Sequence, residues 1–445
     1  MEKTGNTKAF CGQIFHFLSP PCNIDDTSCY QYFPHGLVVV ESGIVKSVGP
    51  ANVLLKTLPH DAEIVDYSDY LIMPGFIDTH IHYAQTETIA SYGKQLLDWL
   101  EKYVFPAEGQ YGDKAHAKNI ADFFLKELML NGTTTAAVYS TVHEVAADAL
   151  FESADSLNMR IITGKTMMDR NAPGYLLDTP QTSYDESKRL IKKWHNKNRL
   201  SYAVTPRFAP TSSEAQLEVA STLMSEFSTV YLQSHISENK NEVKWVKELF
   251  PWSKNYTDVY DRYNLLGKRS VYGHAIFFSE QEFQRFFDTE TVCAWCPTSN
   301  FFLGSGLFDI GNAKKHNVRI GIGTDVGGGS SFSMLRTLDE AYKVAAIQGS
   351  ALSPLEGFYH MTLGNAKALL LDHKIGNFHS GKEADFVVLD LFSTPLIANK
   401  MKRANNLAEK LFNLMILGDD RAVKATYILG ELKHLRDSNV NLKEK

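Results

Sequence analysis

Two histidines separated by one residue, His80-Ile81-His82, close an apolar run that begins at Leu71. Residues two apart on a strand point to the same face, so both imidazoles can converge on one ion at about 2 Å. His235, His274 and Asp325 also end strand-like runs. Imidazole and carboxylate are ligand types that suit zinc and iron alike. If these runs are strands of a parallel barrel, their ends meet at one face, where barrel active sites sit. Glu238 follows His235 by three residues, just past the strand end, within reach of a water on the ion. A carboxylate there can carry protons, which metal-assisted hydrolysis requires. Together these residues point to hydrolysis at a metal centre.

Other residues narrow that reading. Two-metal hydrolases built on barrels usually carry a bridging lysine on the fourth strand, and here that strand reads Thr205-Pro206-Arg207-Phe208. One metal is therefore expected, with Lys165 on the third strand an ordinary lysine. Cys293-x-x-Cys296 has spacing used by zinc sites, but no His-x-Glu accompanies it, so the pair reads as strand residues. Gly327-Gly328-Gly329 lacks a following Gly-Lys-Ser/Thr and reads as clearance in the loop after Asp325, not as a phosphate cradle. His116 and His143 are assigned no chemistry.

The elements that must position these groups alternate along the chain. The runs are Leu71–Ile81, Thr133–Ser140, Arg160–Met167, Tyr202–Phe208, Val230–His235, Ser270–Ala275, Thr291–Cys296 and Val318–Asp325. Each is short, apolar on both faces and rich in β-branched or aromatic residues, as strands buried on both sides must be. Helical stretches lie between them. One starts at Asp113, a candidate N-cap, and stops at Gly132; another follows Ser212 and Ser213. The pattern predicts an α/β chain whose catalytic unit, residues 71–372, is a (β/α)₈ barrel of the TIM type. Strand-like runs at Gly36–Glu41 and Ile44–Val48 precede it, and others at Asp385–Leu389 and Ala425–Leu429 follow it. Residues 1–70 and 373–445 are therefore expected to fold together into a small β-rich domain.

The totals set the outer limits. A chain of 445 residues exceeds the usual single-domain size. A net charge of −6 and a pI near 6.2 give a poor electrostatic footprint for nucleic acid or an anionic membrane, and a neutral small molecule fits better. No apolar run approaches the length of about 18 residues that a membrane span needs. The stretch from Met1 to Gly12 has no secretory pattern. Five scattered cysteines suit a reducing compartment, so the cytoplasm is expected and the sequons at Asn131 and Asn255 are chance matches.

With these residues in place, the chain resembles the amidohydrolase superfamily, and more narrowly its guanine deaminase family. Met73-Pro74-Gly75-Phe76-Ile77-Asp78-Thr79-His80-Ile81-His82 matches the superfamily motif. The narrower likeness rests on Leu96-Leu97-Asp98-Trp99-Leu100 through Phe105-Pro106-Ala107-Glu108, on Thr205-Pro206-Arg207-Phe208, and on Ser234-His235-Ile236-Ser237-Glu238-Asn239. Gly323-Thr324-Asp325-Val326 completes it, and the likeness extends into Asn255-Tyr256-Thr257-Asp258-Val259-Tyr260 before fading toward both chain ends. Two departures are small: Thr298 stands where the family pattern has asparagine, and Gly327 where alanine is common.

The resemblance implies that His80, His82, His235 and Asp325 hold one zinc ion per chain, with His274 near the attacking water. It implies that Gln85, Arg207 and Phe208 bind a purine, in a pocket shared with His82, His235 and Glu238. Asp325 would take a proton from water, and the hydroxide would attack C2 of guanine. Glu238 would protonate the adjacent ring nitrogen and help the amine leave as ammonia, giving xanthine in purine catabolism or salvage. The residue types agree. The Gln85 amide offers donor and acceptor, the Arg207 fork offers donors to a carbonyl or ring nitrogen, and Phe208 and Trp99 can pack on a flat ring. The competing readings are a deaminase of a pterin, triazine, cytosine or oxidised guanine, against which the Trp99 and Phe105-Pro106 stretch argues, and a non-catalytic barrel that has lost its metal. The ligand set is complete, which argues against the second. The family suggests a homodimer.

Overall fold

The computed structural model of the chain describes residues 7–93 and 95–437. The first six residues, part of the stretch read above for a secretory pattern, lie outside the described residues. Four strands come first: β1 (Thr7–Phe17), β2 (Tyr30–Glu41), β3 (Ile44–Pro50) and β4 (Glu63–Pro74). Then follow β5 (Phe76–His82), β6 (Thr133–Tyr139), β7 (Arg160–Gly164), β8 (Thr166–Met167) and β9 (Leu200–Pro206). The same layer continues with β10 (Tyr231–Ile236), β11 (Ser270–His274), β12 (Val292–Trp295) and β13 (Arg319–Ile322). Three more close the chain: β14 (Phe386–Leu389), β15 (Val423–Ile428) and β16 (Glu431–Leu435).

Strands β5 to β13 pair in parallel, in the order β5-β6-β7-β9-β10-β11-β12-β13, with the short β8 beside β9. Every residue of β5, β6 and β7 is buried, as expected of strands covered by helices on one side and closed upon themselves on the other. The eight-stranded (β/α) barrel predicted from the alternating runs is therefore present, nearly closed. At its seam, between β5 and β13, a single side chain supplies the missing ladder. Asn365 Nδ2 donates to Ile77 O at 2.6 Å and Ile322 O at 2.9 Å, while its Oδ1 accepts from Ile322 N at 2.9 Å. Near the strand starts the barrel is plugged by Ile77, Ile162, Tyr231, Val271 and Val292 packed on Ala366, Leu369 and Ile375. The opposite end is left for chemistry.

The helices begin where the capping residues said they would. The Asp113 carboxylate accepts from His116 N at the start of Lys114–Leu130, and Ser213 caps Glu214–Glu226. The remaining strands form a second sheet, ordered β16-β15-β14-β4-β1-β2-β3, in which β4 and β14 lie antiparallel with Ile72 opposite Val388. Both chain ends thus share one sheet. Arg160 and Arg199, at the starts of β7 and β9, reach from the barrel to Glu383 at 2.5 and 2.7 Å, and Arg199 also pairs with Asp385.

Three local expectations change. The run from Leu71 to Ile81 is divided: residues to Pro74 belong to the second sheet and only those from Phe76 to the barrel. The run from Arg160 to Met167 breaks at Lys165, whose buried ammonium pairs with Asp178 and Glu186, each at 2.5 Å. Past residue 373 the chain is not only strand, because helices Pro395–Met401 and Leu407–Leu417 separate β14 from β15.

Candidate active site

The ends of β5, β10 and β11 and the loop after β13 converge at the open mouth of the barrel. His80, His235, His274 and Asp325 each bring one ligand-type atom to a place where all four lie within 4.8 Å of one another. His82 stands beside them, its Nε2 at 3.1 Å from His235 Nε2 and 3.3 Å from Asp325 Oδ1. His80 Nε2 is 3.4 Å from the same oxygen. Asp325 lies three residues beyond the end of β13, in left-handed backbone (φ 50°), and its N donates to His80 O at 2.8 Å. His274 (φ 78°) and Ser237 (φ 51°) are left-handed too. Such conformations cost a non-glycine residue roughly 1–3 kcal/mol each, and they gather here at the site.

Two glycines make the geometry possible. A Cβ on Gly273, opposite His235 in β10, would sit 2.5 Å from the His80 ring, and one on Gly329 would sit 1.8 Å from Thr324 O. The carboxylate of Asp78 accepts from His80 N and from the Thr324 hydroxyl at 3.0 and 2.5 Å, fixing the strand ends that carry His80 and Asp325.

The donor set fits a divalent cation. His235 Nδ1 donates to Arg207 O at 2.6 Å and His274 Nδ1 to Asn300 Oδ1 at 2.9 Å, so both Nε2 atoms present lone pairs inward. Neither ring nitrogen of His80 has a hydrogen-bond partner although the residue is fully buried. Burial pushes His82 down to about 3 and His235 well below the usual imidazole range, so both are neutral. Burial works against ionising Asp325, but the rings of His80, His82 and His274 outweigh it and hold its carboxyl well below the usual range. An ionised carboxylate beside the neutral imidazoles of His82 and His235 is the protonation state in which such groups bind a metal.

Glu238 lies beyond this cluster, its Oε2 3.3 Å from His274 Nε2 and its Oε1 accepting from the Ser305 hydroxyl at 3.1 Å. Burial, reinforced by the charge of Asp325, pushes its carboxyl up to about 8. The backbone of Glu238 is held by Glu242, whose Oε2 accepts from Glu238 N at 2.8 Å and Asn239 N at 3.0 Å. Glu242 does this as the third residue of a capping box that starts the helix Lys240–Leu249 at Asn239. The sequence carries this cap as Asn239 followed three residues later by Glu242.

A pocket opens onto these groups. Its polar wall is His82, Gln85, Arg207, His235, Glu238, His274 and Asp325; its apolar wall is Leu96, Trp99, Leu100, Phe208 and Leu303, with Gly328 at the rim. Gln85 sits in the tight turn Tyr83–Thr88 after β5, and Arg207 and Phe208 directly follow β9. Trp99 and Leu100 come from a helical segment spanning 96–108. Arg207 is no surface residue: it is 4% exposed and its Nη1 donates to both oxygens of the buried Glu108, at 2.8 and 2.6 Å. Ser305, Asn300 and Glu242 were not singled out from sequence, and Glu108 stood there only as the last residue of the stretch Phe105-Pro106-Ala107-Glu108, with no role assigned. Cys293 is buried in β12 and Cys296 just after it; neither joins the group of ligand atoms, although burial pushes the Cys296 thiol well up and the nearby charges of Asp325 and Glu238 add to that. His116 faces Glu87 at 3.2 Å.

Comparison with known proteins agrees with this geometry. The amidohydrolase family model matches residues 71–433. Guanine deaminase of Escherichia coli is 48% identical over 410 residues, covering 92% of this chain and 93% of its own. The solved E. coli guanine deaminase superposes with a TM-score of 0.94 at 45% identity, over 97% of this chain and all of that one. Guanine deaminase from C. acetobutylicum, solved with guanine in its active site, superposes with a TM-score of 0.86 at 28% identity over 96% of this chain and all of that one. The chain belongs to the amidohydrolase family, in the branch that holds the guanine deaminases.

Proposed function

We propose that this chain hydrolyses guanine to xanthine and ammonia at the barrel mouth, with one zinc ion per chain held by His80, His82, His235 and Asp325. The observation that carries the reading is the meeting of two features. The buried cluster of His80, His235, His274 and Asp325, with His82 beside it, adjoins a pocket lined by Gln85 and Arg207 together with Trp99 and Phe208. High identity to guanine deaminases and a relative with guanine bound support the substrate. Three imidazoles and a carboxylate suit ferrous iron as well as zinc.

A divalent ion bound there supplies a Lewis acid that acidifies water at neutral pH. The rest is done by the protein. Phe208 and Trp99, with Leu96, Leu100 and Leu303, receive the flat ring and exclude bulk water. Arg207 and Gln85 offer donors and an acceptor to the oxopurine edge. Asp325, kept ionised among the histidines, accepts the proton of the attacking water. The new C–O bond forms at C2, the carbon that bears the amino group. Glu238 gives a proton to the ring nitrogen beside C2, takes one back from the new C2 hydroxyl and hands it to the exocyclic nitrogen as the C–N bond breaks, so ammonia leaves and C2=O forms. The proton held by Asp325 then restores Glu238. His274 stands 3.3 Å from Glu238 Oε2 and 3.6 Å from Asp325 Oδ2, between the two proton carriers, which supports a role toward the water. Among the described residues no helix is long and apolar enough to cross a membrane, and all five cysteines are free. Residence in the cytoplasm fits those free thiols, and assembly as a homodimer rests on the family resemblance.

The test is a substrate panel read for ammonia. Guanine is expected to be turned over far faster than adenine, cytosine, a pterin or an aminotriazine. Adenine lacks the 6-oxo group and carries its amine on C6, and each donor left unpaired in a closed pocket costs on the order of 1–3 kcal/mol. Ammonia from one of the others with none from guanine would overturn the assignment.

A further inference from the structure

Glu108 is fully buried at the end of the 96–108 helical segment and takes no part in the hydrolysis derived above. It nevertheless touches two residues of the pocket wall. Both its oxygens accept from Arg207 Nη1, and Oε1 also accepts from Gln85 Nε2 at 3.3 Å. A carboxylate can only accept hydrogen bonds, whereas an amide can turn either end to a neighbour. Glu108 therefore draws the NH₂ end of Gln85 to itself. On the other side Gly327 N donates to Gln85 Oε1 at 3.4 Å, so the amide is oriented from both directions. In Arg207 both bonds leave from Nη1, which keeps Nη2 and Nε for a bound ring. The charge of the guanidinium, buried with it, is cancelled at the same time. An unmatched guanidinium in a pocket wall is a site for anions.

We propose that Glu108 is a positioning residue that sets the specificity of this pocket: it fixes the donor and acceptor pattern of Gln85 and Arg207 and keeps the pocket selective for a neutral oxopurine over an anionic one. The proposal rests on the guanine reading above. It has a consequence for the product. Xanthine is a stronger acid than guanine, so a pocket with an unmatched Arg207 holds xanthine as its anion, while the neutralised pair lets it go.

The experiment compares wild type, Glu108→Gln and Glu108→Asp in steady-state kinetics on guanine, with xanthine as inhibitor at neutral and alkaline pH. Metal content and thermal unfolding are read alongside. Glu108→Gln keeps size and loses charge; its KM for guanine is expected to rise at least about tenfold, with kcat falling less, because charge-assisted bonds orient the binding groups. Its inhibition by xanthine should tighten relative to that KM, most at alkaline pH. Glu108→Asp keeps the charge on a shorter stem, so its KM should rise while the wild-type discrimination against xanthine anion is retained. A folded, metal-loaded Glu108→Gln with wild-type KM and wild-type xanthine inhibition overturns the proposal. So does a loss of activity that only tracks lost folded protein or lost metal. Wild-type protein inert on guanine would instead overturn the reading of the site on which this rests.

Discussion

Single residues here are proposed to do two distinct jobs, holding an ion and holding a ring, and their partners separate the two. His80 is buried with neither ring nitrogen paired, and a polar group left so costs about 1–3 kcal/mol unless something satisfies it. On the proposed reading, a cation bound among His80, His82, His235 and Asp325 would remove that penalty. Arg207, by contrast, is tied to Glu108 and lines the pocket. Arg207→Ala removes donors from the pocket and leaves Glu108 as a buried, unpaired carboxylate. The expected outcome is a KM for guanine at least about tenfold higher, a lower kcat, and a loss of stability of about 3–5 kcal/mol by thermal or denaturant unfolding. Wild-type kinetics and stability would show Arg207 to be idle. The ligand-type residues were legible because each ends an apolar run, and Glu238 because it follows such an end by three residues, both one-dimensional signals. Glu108 was not, because it is one acid in a helical stretch whose partner lies 99 positions away. Asp325 was legible as a residue but not in its setting, since nothing in an apolar run says that the strand stops at Ile322 and the chain turns left-handed.

Among the elements, the parallel strands dictate the site because their ends place side chains at fixed spacing. Gly273 lies in β11 where any side chain would enter the His80 ring. Gly273→Ala should therefore leave a folded barrel with His80 displaced, and metal affinity lowered by at least about tenfold, the scale seen when a ligand's support is disturbed. Competition with a chelator of known affinity measures this, and unchanged affinity would mean that His80 is free to move aside. All eight barrel strands could be found by their apolar runs, since strands buried on both faces show no alternation to confuse. The division of residues 71–81 between two sheets could not, because the run stays apolar where one sheet ends and the other begins. The helix Leu407–Leu417 was not read either, although Asn406 caps its start and Glu409 stands in its first turn.

On the scale of the whole molecule, a nearly closed barrel carries the chemistry at one end while both chain ends build a second sheet against it. That sheet was foreseen from strand-like runs at the two termini, but its order was not, because pairs such as Ile72 with Val388 join positions far apart in sequence. The barrel gathers one cluster of metal-ligand type among the described residues, and β9 brings no lysine to bridge a second ion. Elemental analysis of the purified protein is accordingly expected to find about one divalent metal per chain, and two tightly bound ions would contradict that. The central claim, that this cluster binds the metal while Glu238 moves the proton, is tested most directly by measuring metal content and xanthine formation together for wild type, Glu238→Gln and His82→Ala. Glu238→Gln should keep its metal and bind guanine, yet form xanthine at least about a hundredfold more slowly, while His82→Ala should lose metal and activity alike. A metal-loaded Glu238→Gln as fast as wild type, or a His82→Ala that keeps both its metal and its turnover, would contradict the account.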